Sequence, residues 1–276
     1  ITIYLNLMNT SKYIKYFTLV LVSALFISCS QEEEEEQKPQ PLSHTYQTVE
    51  RFHANCDDQD PDNGCMELSY TFPAFSGGGD MPVKDTLQDA IATFIFDSTR
   101  QSLSEASFDR LARDWFSFYD STLATLPDYN LPWEQRMRVR LIHQTPDYMS
   151  VEFAEREFTG GAHPVEIRVY RMYSIPGGER ITLADILNEG AKSQLAAVAE
   201  PAFREQKKFP DDAEYDERNY FFTEGQFSLN ENYALTERGL LFYYNPYEIA
   251  PYSEGATRLL LPYGQIDSLL TGSFKR

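Results

Sequence analysis

Two short segments of this 276-residue chain hold residue types able to do chemistry. The first is Phe158-Thr159-Gly160-Gly161-Ala162-His163-Pro164. Its paired glycines permit positive φ or a close backbone approach, and Pro164 restricts His163 to an extended conformation. The second runs from Leu240 to Gly255, where an apolar stretch passes into a Pro-bounded loop carrying Tyr247, Glu248, Tyr252 and Glu254. Tyrosines supply rigid, amphipathic contact area and carboxylates accept hydrogen bonds, a combination that suits recognition of a glycan or a protein. Hydrolysis would need a carboxylate pair or a Ser/His/Asp arrangement. His163 with Glu248 is the pairing that can be imagined, but nothing in the spacing demands it. Read on its residues alone, the His163 segment is a tight hairpin between two strands with a structural histidine.

Three cysteines complete the chemistry. Lys12 and Lys15 precede an apolar run from Phe17 to Ile27, and Phe26-Ile27-Ser28-Cys29 closes it. A charged stretch followed by an apolar stretch too short to span a bilayer comfortably describes a secretory signal. The cysteine at the cut resembles the lipobox of bacterial lipoproteins, with Cys29 as the acylated residue. That reading places the start at Met8, a signal peptide at 8–28, an acidic linker at 29–43 and palmitate-type acyl chains as the membrane tether. Ser30, Gln31 and five consecutive glutamates after Cys29 resemble the surface-export signal of lipoproteins from the Bacteroidetes. The expectation is an outer-membrane, surface-exposed protein, with a periplasm-facing position as the alternative. In an oxidising compartment Cys56 and Cys65 are expected to form a disulfide. Between them Asp58, Asp60 and Asp62 resemble the start of a calcium loop, but Asn63 stands where glycine belongs and Ser69 where glutamate belongs. An acidic hairpin loop is the expectation there, and no metal or cofactor is assigned.

The charge is −18 over the whole chain, with 24 basic and 42 acidic side chains. Loss of Lys12 and Lys15 with the signal deepens it. No basic stripe is evident to neutralise phosphates, so nucleic acid is not an expected partner. The hydrophobic fraction of 42% and aromatic fraction of 14% are those of a globular chain.

The elements that position these residues follow from periodicity. Tyr46 to Asn55 and Met66 to Phe72 read as strands, the latter ending at Pro73. Leu87, Ile91, Phe94 and Ile95 recur at helical spacing, predicting a helix over about 84–101. A second helix begins near Ser104 with Phe108, Leu111, Trp115, Phe118 and Tyr119 on a core face. Met137-Val139-Leu141 alternates with Arg136, Arg138 and Arg140, a half-buried strand with a basic outer face. Tyr148 to Phe158 and Val165 to Tyr173 read as strands. Leu183 to Leu187 and Lys192 to Gln206 read as helical, and Lys207 to Asn219 as a loop. Phe227-Leu229, Tyr233-Leu235, Leu240 to Tyr244 and Leu259 to Leu261 read as strands, and Ile266 to Leu270 as a final helix. Strands and helices in blocks favour an α+β fold, with antiparallel sheets, helices packed on one face, and two sub-domains.

Thr159-Gly160-Gly161-Ala162-His163, then Pro246-Tyr247-Glu248-Ile249-Ala250-Pro251-Tyr252 with Gly255, then Leu261-Pro262-Tyr263, resembles the DUF3298 family. The strand-rich part ahead of it resembles the associated DUF4163 (PdaC/RsiV-like) module. The resemblance covers about residues 44 to 272, with an expected boundary between 44–165 and 166–272. It implies the envelope-facing module of proteins that bind lysozyme or lie ahead of a peptidoglycan deacetylase domain. The short segment before Cys29 argues against an anti-sigma role, and the short remainder after the DUF3298-like part argues against a following deacetylase domain. The expected partners are therefore the membrane, through lipid, and peptidoglycan or a cationic lysozyme-like protein, with Thr159, Gly160, Gly161, His163, Tyr247, Glu248 and Tyr252 at the contact. A cell-wall glycan hydrolase or esterase and a structural subunit of a surface complex are the alternatives.

Overall fold

The computed structural model describes residues 41–56, 64–97, 101–126, 130–210 and 212–276. The signal peptide at 8–28, Cys29, the glutamate run and the Asp58–Asp62 loop lie outside the described residues. The alternating strand patterns assemble into a six-stranded sheet in sequence order, β1 (Ser43–Phe52), β2 (Met66–Ser76), β3 (Trp133–Gln144), β4 (Tyr148–Phe158), β5 (Val165–Ser174) and β6 (Arg180–Ile181). Neighbours are antiparallel except β2 and β3, which run parallel. That exception departs from the all-antiparallel expectation and has a plain cause. Two helices, α1 (Val83–Phe96) and α2 (Glu105–Thr125), fill the connection and carry the chain back to the same end of the sheet.

β2 continues past Pro73 to Ser76, further than the sequence predicts. Its register with β3 stops at Thr71, so at Pro73 the strand has a partner only in β1, and a sheet edge tolerates proline. Leu42, in the stretch read as the end of the linker, is already buried. A disulfide joins Cys56 to Cys65. Closing so short a loop contributes about 2–3 kcal/mol in the chain-entropy account.

α1 is shorter than predicted and gives way at Asp97, whose φ of 49° is left-handed. Val83, Leu87, Ile91 and Ile95 recur along its buried face. Ser104 caps α2 by accepting a hydrogen bond from the Ser107 amide. Phe108 and Tyr119 enter the core as expected. Phe118 does not: it is 57% exposed, because its neighbour Tyr119 takes the inward position one residue on. Helices and sheet enclose one core that contains Leu68, Tyr70, Val139, Val151 and Phe153.

The second half begins with a one-turn helix, α3 (Leu183–Ile186), and continues through α4 (Lys192–Gln206). A three-stranded antiparallel sheet follows, β7 (Tyr233–Leu235), β8 (Gly239–Tyr244) and β9 (Thr257–Pro262), with a short terminal helix, α5 (Tyr263–Ile266). Phe227 to Leu229, predicted as a strand, has no ladder; Phe227 and Leu229 instead pack as half-buried side chains against the second core. Gly239 opens β8 with φ +150°, and a Cβ there would collide with the Leu261 carbonyl oxygen.

β4 and β5 belong to both cores. Met149, Val151, Phe153 and Tyr173 face the helices. Tyr148, Tyr170 and Met172 face β7–β9 and α4. Residues 148–154 are all buried as a result, as expected of a strand covered on both faces, and they include the polar Ser150 and Glu152. Among the described residues no helix is long and apolar enough to cross a membrane.

Candidate functional site

Two loops meet at one edge of the molecule. Residues 159–164 join β4 to β5, and Gly160 turns with φ +83°. Residues 245–256 join β8 to β9. Buried Ile249 and Ala250 anchor the second loop, and the Phe221 amide donates to the Ile249 carbonyl at 2.8 Å.

His163 is where the loops touch. Its ring stacks on Tyr252, with centroids 3.6 Å apart and planes 11° from parallel. Nε2 lies 3.2 Å from the Tyr247 hydroxyl, and Nδ1 lies 3.1 Å from the Pro164 carbonyl. A carbonyl only accepts, so Nδ1 donates to Pro164, while the Tyr247 hydroxyl can either donate to Nε2 or accept from it. The Tyr252 hydroxyl donates to the same carbonyl at 3.4 Å. Tyr247 itself is 60% exposed and sits at φ +66°. A non-glycine residue there carries backbone strain of about 1–3 kcal/mol, held by the surrounding contacts. Phe221, tied to this loop through Ile249, is also largely exposed.

The structure therefore brings together His163, Tyr247 and Tyr252. It places Thr159 and Gly160 half-buried in the hairpin, with Gly161 exposed at its tip. Glu248 points elsewhere. Its Oε2 accepts from the Asn245 amide at 2.8 Å and its Oε1 from the Asn230 side chain at 2.6 Å. That carboxylate closes its own loop. The imagined His163–Glu248 pair is not assembled, since both imidazole nitrogens are engaged by neutral partners.

Asn230 is one of three asparagines that composition did not single out. Asn245 accepts from the Arg168 amide at 2.7 Å and donates to the Arg168 carbonyl at 3.0 Å. Asn232 accepts from the Tyr170 amide at 2.7 Å and donates to that same carbonyl at 2.8 Å. The two side-chain amides stand in for a neighbouring strand along β5, whose pairing with β6 covers only Met172 and Tyr173. They bind the second sheet to the first and set where residue 247 emerges. Their signal in the sequence is faint: two asparagines bracketing the apolar run of β7 and β8.

Beneath this brace lies a buried carboxylate. Glu152 is 2% exposed and accepts from Tyr170 at 2.6 Å and from Arg140 at 2.7 Å, with Arg168 3.9 Å away. Burial alone would raise its pKa, but the hydrogen bonds from Tyr170 and Arg140 and the two guanidinium charges hold it below the ordinary carboxylate value. Among the described residues no group of three or more His, Cys, Asp or Glu is placed to hold a metal ion.

Comparison with known proteins agrees with this architecture. Residues 184–264 match the family described as "Protein of unknown function (DUF3298)", and residues 60–166 match "Deacetylase PdaC". A crystal structure of a DUF3298 family member from Bacteroides fragilis superposes with a TM-score of 0.68 at 17% identity, covering 85% of this chain and 96% of that one. A DUF3298 family protein from Pseudomonas aeruginosa gives 0.58 at 21% identity, covering 86% and 97%. At these identities the likeness concerns the fold. No curated protein matches the chain significantly. The chain thus joins a segment that matches the PdaC model to one that matches the DUF3298 model, in a fold it shares with the two DUF3298 structures.

Proposed function

We propose that this chain is a non-enzymatic binding protein of the bacterial envelope, lipid-anchored through Cys29 at the outer membrane. Its ligand is peptidoglycan or a lysozyme-like protein, taken up on the surface formed by His163, Tyr247 and Tyr252. One observation carries the reading: Tyr247 is exposed yet fixed, by a left-handed backbone and by a hydrogen bond to a histidine stacked on Tyr252. A rigid, exposed aromatic surface loses little freedom on binding, so more of its contact energy becomes affinity. The engagement of His163 by Tyr247 and Pro164, and of Glu248 by Asn230 and Asn245, favours recognition over acid–base chemistry. A charge of −18 steers a cationic protein partner towards the molecule and favours the lysozyme-like ligand.

The test is retention of the full chain by insoluble peptidoglycan and by immobilised lysozyme, at low and moderate salt. Salt-sensitive retention on lysozyme that disappears in Tyr247→Gly, with melting temperature preserved, supports the protein ligand. Retention on peptidoglycan with the same dependence on Tyr247 supports the wall ligand. Failure to bind either, or binding indifferent to Tyr247, sinks the assignment of this surface.

A further inference from the structure

The same sheet face that is covered by β7–β9 at one end is open at the other, and the open end is basic in an acidic protein. The strand registers place the side chains as a grid. One row reads Thr71, Arg138, Ala154, Arg168 across β2 to β5, and the next reads Ser69, Arg136, Arg156, Glu166. These residues line a cavity of about 260 Å³ that counts four arginines and two glutamates in its wall. The chain as a whole has the opposite balance, 24 basic against 42 acidic side chains.

Two features of the grid go beyond a solvated basic face. Arg136 and Arg156 stand directly opposite each other, a pairing of like charges that is unfavourable by itself. They are held by carboxylates at the margin: Glu134 bonds to both, Glu67 to Arg136 and Glu166 to Arg156. The other row is less neutralised, its one ion pair being the 3.9 Å contact of Arg168 with Glu152. Among the described residues no carboxylate lies within ion-pair distance of Arg138. Arg168 lies over the Tyr243 ring at 5.7 Å, and the carboxylate nearest to it, Glu152, is already bonded by Arg140 and Tyr170. Between these two arginines stands Ala154, whose methyl leaves the floor of the cavity clear. Arg138 and Arg168 are thus mounted two strand spacings apart, about 10 Å, on either side of an empty position. A guanidinium offers a planar fork of donors that matches a carboxylate or phosphate edge.

We propose that the Arg138–Ala154–Arg168 row is a binding site for an oxyanion, carried by a ligand group of about monosaccharide size. The oxyanion sits above Ala154 and takes hydrogen bonds from the two guanidinium groups, with the Thr71 hydroxyl at the row's end. Arg136 and Arg156, already paired, form the charged rim. This site is separate in chemistry from the His163 surface and does not rest on the function proposed for it.

The experiment is calorimetric titration of the full chain with inorganic phosphate and, separately, with glucuronate. Glucose and sodium chloride at matched ionic strength are the controls. At least one oxyanion binds and glucose does not; phosphate alone assigns a phosphoryl group, glucuronate alone a sugar acid, and both a generic oxyanion site. Arg138→Gln weakens binding tenfold or more, about the worth of a charge-assisted hydrogen bond. Because Arg138 is exposed and bears no ion pair, this variant keeps the wild-type melting temperature. Ala154→Leu fills the floor and abolishes binding independently. Failure of both anions to bind beyond the chloride control overturns the proposal, as does binding unchanged in Arg138→Gln.

Discussion

The two ends of one face of the central sheet use arginine in opposite ways. At the end covered by β7–β9, Arg140 and Tyr170 enclose Glu152, whose carboxylate is almost wholly out of water. Two residues along the same face of β4, Ala154 opens the floor of the arginine row, and Arg156 faces Arg136 at the surface. The difference lies in what covers the strand. A second sheet excludes water at one end, so each charge there must be paired. At the other end solvent screens the charges, and arginines can remain partly unpaired. Burial converts an ion pair into part of the fold, and exposure leaves it available for a ligand.

This contrast can be broken at the buried end with the largest effect. Glu152→Ala leaves the Tyr170 hydroxyl without its acceptor and is expected to cost about 3 kcal/mol in urea unfolding at pH 7. Because the carboxyl's pKa lies below its unfolded value, its contribution is fully present above the ordinary carboxylate range and is lost as pH falls through the depressed value. The gap between wild type and variant should therefore narrow in acid. A gap that stays constant with pH would show that Glu152 acts by packing alone.

Next in size is the seam between the two sheets. Asn245→Ala removes two hydrogen bonds to the Arg168 backbone and should cost about 1–2 kcal/mol. It also displaces the loop bearing Tyr247, so ligand retention should fall with stability. Undiminished retention would separate the loop's position from the brace.

The smallest effects belong to the exposed residues. Arg156→Gln should change stability by less than about 0.5 kcal/mol in thermal melts, since Arg156 and Glu166 are substantially in solvent and Glu134 keeps its bond to Arg136. A loss comparable with that of Glu152→Ala would erase the contrast between the two ends. Tyr247→Gly relieves a left-handed backbone and should stabilise the fold by up to about 1 kcal/mol while abolishing ligand retention. Destabilisation instead would make the exposed ring part of the fold.

The sequence by itself determined the α+β class, most strand and helix positions, and the aromatic character of the 245–255 loop. These follow from local periodicity and turn chemistry, which act over a few residues. β4, read from Tyr148 to Phe158, matches its observed limits, and the apolar run of β7 and β8 was equally legible. Tertiary structure alone decided the rest. The parallel pairing of β2 with β3 depends on how α1 and α2 cross the sheet. The outward turn of Phe118 depends on which helical neighbour the sheet accepts. Phe227 to Leu229 has strand character but no free ladder to join. Glu248 looked like a ligand contact because its type and place in the loop suit one, yet its oxygens are used by Asn230 and Asn245. Arg138 and Arg168 are thirty residues apart in the chain, and only the register of three strands sets them on either side of Ala154. Hydrogen-bond registry between distant segments is a property of the folded sheet, and it is that registry which sets the buried Glu152 cluster and the arginine row at opposite ends of one face.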